Sequence, residues 1–174
     1  MTIIRPETKA DYEAIYTVHQ SAFQRDIEAQ LVERLRKTNY YHQELSLVAV
    51  EDEEIVGHLL FTRVVIKDGT KTYPALALAP VGIKSDYQRK KIGTLLVEES
   101  LKKAKYLGHK LIIVLGDPKF YSRFGFERAS KFDITPPIGF PEEAFLVAKL
   151  CPEDIDIKGQ VMYPIQFNMT IPKK

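Results

Sequence analysis

The groups best placed to do chemistry stand together at residues 88–94, Gln-Arg-Lys-Lys-Ile-Gly-Thr. An apolar run precedes them and a long helical-period run follows, so they form a turn that opens a helix. The first backbone N–H groups of a helix have no partner inside it. Arg89, Lys90 and Lys91 add three cations at the end where the helix dipole favours anions. That arrangement makes sense when a multiply charged anion seats among them, and a phosphate or pyrophosphate fits. A solvated basic turn fits the same residues, because lone Gly/Lys turns are weak signals. Two other reactive side chains read differently. His58 sits inside an apolar strand, with no partner at a metal-ligand spacing, which suits a core or edge histidine. Cys151, the single cysteine, excludes an intramolecular disulfide and reads as a small, partly buried hydrophobe.

These groups need a scaffold. Residues 73–84 form an apolar strand with Pro80 in its middle. Proline cannot donate to a ladder, so the strand is expected to bulge or splay there. Beyond the turn, Ile92, Leu95, Leu96, Val97, Leu101, Ala104 and Leu107 make a helical stripe, and Gly108 stops it. Glu98–Lys102 and Glu99–Lys103 are spaced to pair along the other face. Residues 111–115 are five consecutive apolar residues, as in a parallel strand buried on both faces. Asp117 then caps a short helix with Pro118 at its first position.

The remaining elements follow in order. Residues 2–5 form a strand ended by Pro6. Two helices follow, one capped by Thr8 or Asp11 and running to about residue 23, the next spanning about 26–38. Strands are expected at 45–50 and 55–66, joined by the acidic turn at 51–54, with a hairpin turn at Asp68-Gly69. Phe126 begins a further strand. Residues 133–143 are a Pro- and Gly-rich loop, 144–150 a strand, and 159–167 a last strand interrupted by Pro164. Lys173 and Lys174 form a loose tail.

Two blocks resemble the GNAT superfamily of N-acetyltransferases. Its acetyl-CoA signature is Gln/Arg-x-x-Gly-x-Gly/Ala, present here as Gln88-x-x-Lys91-x-Gly93. Lys91 replaces the first glycine, a departure that a negative φ at that position tolerates. The second block, residues 116–126, is similar to the family's Leu-Tyr-Glu-Lys-x-Gly-Phe element, and the likeness extends to about residue 150. The resemblance implies an α/β fold with one mixed, mostly antiparallel sheet of about six to seven strands, splayed at its middle and flanked by helices. It implies acetyl-CoA as co-substrate, held by Val81, Gly82, Ile83, Gln88, Arg89, Lys90, Lys91, Ile92, Gly93 and Thr94, and no metal. Backbone groups of Val81 and Ile83 would pair with pantetheine as a neighbouring strand does. Tyr121 matches the general acid that protonates the departing thiolate, although a tyrosine packed on the sheet fits the same position. The family's asparagine before the short helix is missing; Asp117 stands nearest, and capping accounts for it. The junction of the first two helices would border the acceptor groove, near Glu28, Glu33 and Arg34, each also explicable as a solvated helix residue. No general base stands out.

Composition sets bounds on partners. A chain of 174 residues fits one domain, so residues 1–174 are expected to be a single N-acetyltransferase domain. A net charge of +2, with no basic run interleaved with aromatics, does not suggest nucleic-acid binding. No apolar run reaches a membrane span and the start has no apolar signal core, so a cytoplasmic protein is expected, monomer or homodimer. The expected function is transfer of an acetyl group from acetyl-CoA to an amine acceptor. The alternative is a CoA-binding sensor or regulatory module without turnover. A nucleotide enzyme of another class lacks its Gly-x-x-x-x-Gly-Lys or Gly-x-Gly-x-x-Gly loop.

Overall fold

The β-branched start of the chain forms β1 (Thr2–Pro6), antiparallel to β2 (Ser46–Glu51) with Thr2 opposite Glu51. The computed structural model describes residues 1–151 and 156–169. Lys173 and Lys174 lie outside the described residues. Among those described, nine strands belong to one mixed sheet, whose neighbours run β1-β2-β3-β4-β5-β8-β6, with β9 joined to β3 and β7. That exceeds the six to seven strands expected because β6 (Glu127–Arg128) and β7 (Ile134–Thr135) are two-residue pieces with little periodicity to read.

The chain forms two compact units: Met1–Thr62 with Ala79–Ala104, and Arg63–Leu78 with Lys105–Lys174. β3 (Glu54–Asp68) and β4 (Lys71–Ile83) pass through both. In the first unit, Asp11 closes a capping box with Thr8 on the short turn Lys9–Asp11 just ahead of α1 (Tyr12–Phe23), accepting from the Thr8 amide at 2.8 Å and from Arg5 at 2.7 and 3.1 Å. α1 buries Ile15, Val18 and His19. α2 (Ile27–Leu35) buries Leu31, Val32 and Leu35, as its period requires. It also buries Glu28, which Arg25 holds in a fork at 2.9 and 2.5 Å. Glu28 is therefore no solvated helix residue; the paired guanidinium makes its burial tolerable. The β2–β3 turn puts Asp52 and Glu53 at φ 49° and 67°, the left-handed pair that matches strand twist in a two-residue hairpin.

α3 (Ile92–Tyr106) buries Ile92, Leu96, Val97, Ser100 and Ala104, and Gly108 follows at φ 91°. Ser100 fits this stripe because its hydroxyl donates to the Val97 carbonyl at 2.9 Å. The two expected i,i+4 pairs are not formed. Lys102 reaches Glu99 at 3.4 Å, while Lys103 turns to Glu44 at 3.3 Å.

The second unit pairs β4 with β5 (Leu111–Leu115) in parallel, at Leu76–Ile112 and Ala77–Ile113. β5 pairs along its length with β8 (Phe145–Lys149), so the apolar run has ladders on both sides. Phe140, from the loop at 133–143, packs into this core against Phe145 with ring centres 5.9 Å apart. The final strand is shorter than expected. β9 (Gly159–Met162) ends before Pro164, and Ile165–Met169 winds into a helical turn whose Phe167 amide donates to the Pro164 carbonyl at 3.0 Å. Proline's fixed φ and missing N–H favour that turn over a ladder. Phe126 is buried just ahead of β6 rather than within it. No helix among the described residues is long and apolar enough to cross a membrane.

Candidate functional site

β4 delivers the basic turn to the start of α3. Its last residues alternate, Val81 and Ile83 half-buried and Gly82 buried. The Lys84 amide then donates to the Val56 carbonyl at 2.8 Å. One short turn follows at Ser85–Tyr87, and the Gln88 side chain reaches back to the Ile83 carbonyl at 3.0 Å, which ties the turn to the strand. Gln88, Arg89, Lys90 and Lys91 are exposed, whereas Ile92 is buried core.

The backbone of this turn is unusual. Arg89 and Lys91 hold φ at 64° and 65°, a region that costs a non-glycine residue about 1–2 kcal/mol. Lys91 thus holds a glycine-like positive φ and not the negative φ that would tolerate a side chain there. The fold holds the turn and the lysine adapts, because its side chain projects into solvent. Leu95 donates to the Lys91 carbonyl at 3.1 Å, so the amides of Ile92 and Gly93 precede the first intrahelical bond. α3 has no acidic residue in its first turn. A Cβ on Gly93 would meet only Ile83, at 3.8 Å, so packing within the chain does not demand glycine there. Three exposed cations, two left-handed residues and an uncrowded glycine thus stand together at a helix start, an arrangement chemically suited to a polyanion.

Tyr121 lies in the second unit. Asp117 accepts from the Lys119 amide at 3.0 Å and starts α4 (Pro118–Tyr121), as the sequence requires. The Tyr121 ring stacks edge-on against Phe120 and Phe126 and lies over Gly116, where an added Cβ would sit 2.4 Å from Cε2. Burial pushes its phenol up to about 12, so it keeps its proton at neutral pH.

A third cluster escaped the sequence. Glu7, fully buried, receives Arg36 through two bonds at 2.9 and 3.1 Å, Tyr41 at 2.6 Å and Ser46 at 2.5 Å. Burial pushes the Glu7 carboxyl up, but bonds from His58, Arg36, Ser46 and Tyr41 outweigh it and bring it down to about 2. His58 Nε2 lies 2.8 Å from Ser46 Oγ and 3.4 Å from Glu7 Oε1. Its Nδ1 lies 2.8 Å from Nε2 of His19. Both rings are fully buried, and burial holds both below the ordinary histidine value. The link at 40–44 thus covers a buried carboxylate, through Tyr41 and through the Gln43 amide on the Glu7 carbonyl at 2.7 Å. Among the described residues no cluster of three or more His, Cys, Asp or Glu is arranged to hold a metal ion.

The family model for the acetyltransferase (GNAT) domain matches residues 3–129. The chain belongs to the GNAT family. It is 32% identical over 168 residues to the N-acetyltransferase YhbS of Escherichia coli K12, which covers 95% of this chain and 98% of that relative. N-acetyltransferase YjhQ of the same organism is 29% identical over 157 residues, covering 88% and 87%. Among solved structures, YhbS of Escherichia coli in complex with CoA matches with a TM-score of 0.87 at 30% identity, over 96% of this chain and 92% of that chain. A GNAT acetyltransferase of Brucella melitensis in complex with acetyl-CoA matches with a TM-score of 0.79 at 28% identity, over 97% and 99%.

As a GNAT acyltransferase, the chain keeps its ten expected cofactor residues together in the first unit, from Val81 through Gln88 to Thr94. Tyr121 belongs to the second unit. The buried cluster of Glu7, His19 and His58 had no motif, because its members come from the residue just after β1, from α1 and from β3 at unrelated spacings. The sequence carried one signal: His19 falls four positions after Ile15, on the apolar face of α1.

Proposed function

We propose that the protein moves the acetyl group of acetyl-CoA directly to an amine acceptor. The observation that carries this reading is the turn at 88–94. In a GNAT chain it combines three exposed cations, left-handed Arg89 and Lys91, and a helix start without an acidic residue. When bound, acetyl-CoA supplies an activated thioester. Arg89, Lys90, Lys91 and the amides of the turn hold its phosphates, and backbone groups of Val81 and Ile83 align its pantetheine as an added strand. One of those amides polarises the thioester carbonyl. Tyr121 gives its proton to the sulfur as the thiolate departs.

The test is titration calorimetry with acetyl-CoA, with melting scans alongside. Removing charge at Arg89 and Lys90 together should weaken binding without lowering the melting temperature of the free protein. No binding at millimolar ligand would sink the reading. Binding without release of free thiol over an amine panel would favour a CoA-dependent sensor instead.

A further inference from the structure

α1 meets β4 at Gly82. A Cβ added there would stand 2.7 Å from His19 Nδ1, 3.2 Å from His19 Cε1 and 3.3 Å from Ala22 Cβ. Only a glycine hydrogen fits in that direction, so the imidazole edge packs directly on the strand backbone. Just past the end of β4, the Ser85 amide donates to Ser21 Oγ at 3.0 Å. The same helix thus holds the strand at Gly82 and again at its exit.

The other face is clamped as well. Successive strand residues point to opposite faces, so Ile83 points away from α1. Its side chain covers Gly57, where an added Cβ would stand 2.7 Å from Cδ1, and it neighbours Gly93 at the start of α3. The backbone groups alternate in the same way. The Lys84 amide donates to the Val56 carbonyl at 2.8 Å, so the backbone groups of Gly82 also face β3. Those of Val81 and Ile83 face the opposite edge, where Gln88 holds the Ile83 carbonyl at 3.0 Å. That edge is the one given to pantetheine above.

Buried polar groups hold the His19 ring from behind. Glu7 is ionised at neutral pH, and an ionised carboxylate only accepts hydrogen bonds. Ser46 therefore donates to Glu7 Oε1 at 2.5 Å and accepts from His58 Nε2–H at 2.8 Å. A neutral imidazole protonated on Nε2 has a bare Nδ1, so His58 accepts from His19 Nε2–H at 2.8 Å. His19 in turn presents a bare Nδ1 to Gly82. That nitrogen is buried and has no hydrogen-bond partner. With no hydrogen on that edge, the ring comes closer to the backbone than an N–H would allow. A buried acceptor left unpaired costs stability, and so does a glycine within a strand. Both are kept at the point where α1 touches the cofactor strand.

We propose that His19 is a positioning residue for acetyl-CoA. Its ring, set by His58, Ser46 and Glu7, fixes how far the segment from Val81 to Ile83 stands from α1, and so aims the outward backbone groups at pantetheine. The inference rests on the acetyl-transfer reading of the preceding section. His19 touches neither cofactor nor acceptor. Its effect passes through Gly82 and falls on the pantetheine arm rather than on the phosphates, which belong to the turn at 88–94.

Paired size changes in the full chain test this. Gly82→Ala puts a methyl against the ring, so ring or strand must shift, and acetyl-CoA affinity in calorimetry should fall by at least about tenfold. Affinity for 3′-phospho-ADP, the nucleotide of CoA without its pantetheine arm, should stay within about twofold, because the helix start that holds phosphates is unaltered. His19→Gln keeps an amide donor for His58 and thins the side chain beside Gly82. It adds no bulk, so it reads the contact even if Gly82→Ala fails to fold. Alone it should weaken acetyl-CoA by about three- to tenfold, again sparing the nucleotide. Together the two changes should restore acetyl-CoA affinity to within about threefold of the parent, since the new methyl fills space the ring leaves and residues in contact couple. Losses that simply multiply in the double variant, equal losses for both ligands, or parent-like affinity in either single variant would overturn the positioning role alone. A parent that does not bind acetyl-CoA would remove the acetyl-transfer reading and the positioning role with it.

Discussion

Tyr121 shows how one residue's surroundings set its chemistry. In the proposed acid role, a phenol held at about 12 would give its proton to a thiolate of ordinary basicity, near 8.5, at an uphill cost of about 5 kcal/mol. That fits beneath the roughly 16 kcal/mol barrier of an enzyme turning over about ten times per second. The buried phenol is therefore a permissible acid, though not a strong one. Tyr121→Phe should lower kcat by about 10²–10⁴-fold and leave acetyl-CoA affinity unchanged in calorimetry. Unchanged kcat would return Tyr121 to a packing role. Gly116→Ala tests the same ring from below. The new methyl would overlap Cε2, so the ring must move, at about 1–3 kcal/mol in chemical denaturation and with a kcat loss that follows the displaced hydroxyl. Lys91 is a residue where two effects separate. Lys91→Gly relieves the left-handed backbone but removes a cation. The melting temperature should hold or rise, while acetyl-CoA affinity falls by up to about fivefold.

At the scale of elements, Glu7 ties β1, β2, β3, the link at 40–44 and the end of α2 to one buried carboxylate. Removing one partner from such a site leaves the rest unsatisfied, so Glu7→Gln should destabilise the fold by about 3–5 kcal/mol at pH 7. The pH dependence has a definite sign. Glu7 is held below its unfolded value of 4.5, so its contribution is complete above that pH and is lost as pH falls toward about 2. His19 and His58 are also held below 6.5, so the unfolded chain takes up protons first and stability already declines below that pH. Urea unfolding from pH 7 to 3 should show a steady loss in the parent, and a flatter lower portion in Glu7→Gln. A parent curve that is level from pH 6.5 to 3 would show that these groups are not so arranged.

Over the whole molecule, the net charge of +2 is small, so attraction for a polyanion must come from the local cluster at 89–91 rather than from the global field. Acetyl-CoA at about 100 times its dissociation constant should raise the unfolding free energy by roughly 2.7 kcal/mol. That gain should shrink with added salt, since exposed charges are screened within about 8 Å at physiological ionic strength. A salt-independent shift would place the binding energy elsewhere than in the basic turn.

What the sequence determined by itself was whatever local pattern carries. The stripe of α3, the five apolar residues of β5, the Asp117-Pro118 helix start and the Asp68-Gly69 hairpin all follow from periodicity and turn chemistry within a few residues. The two GNAT blocks did the same for the family. Tertiary structure alone decided which polar residues go inside. Glu28 has its partner three positions away in Arg25, but Glu7, His19 and His58 come together only when chain segments 39 positions apart meet, as His19 and His58 do at 2.8 Å. It also decided the backbone of Lys91, because a left-handed φ on a lysine is imposed by the strand and helix on either side and not preferred by the residue. Burial of a charge depends on the partners that compensate it, and partners drawn from distant segments leave no spacing in the chain to be read.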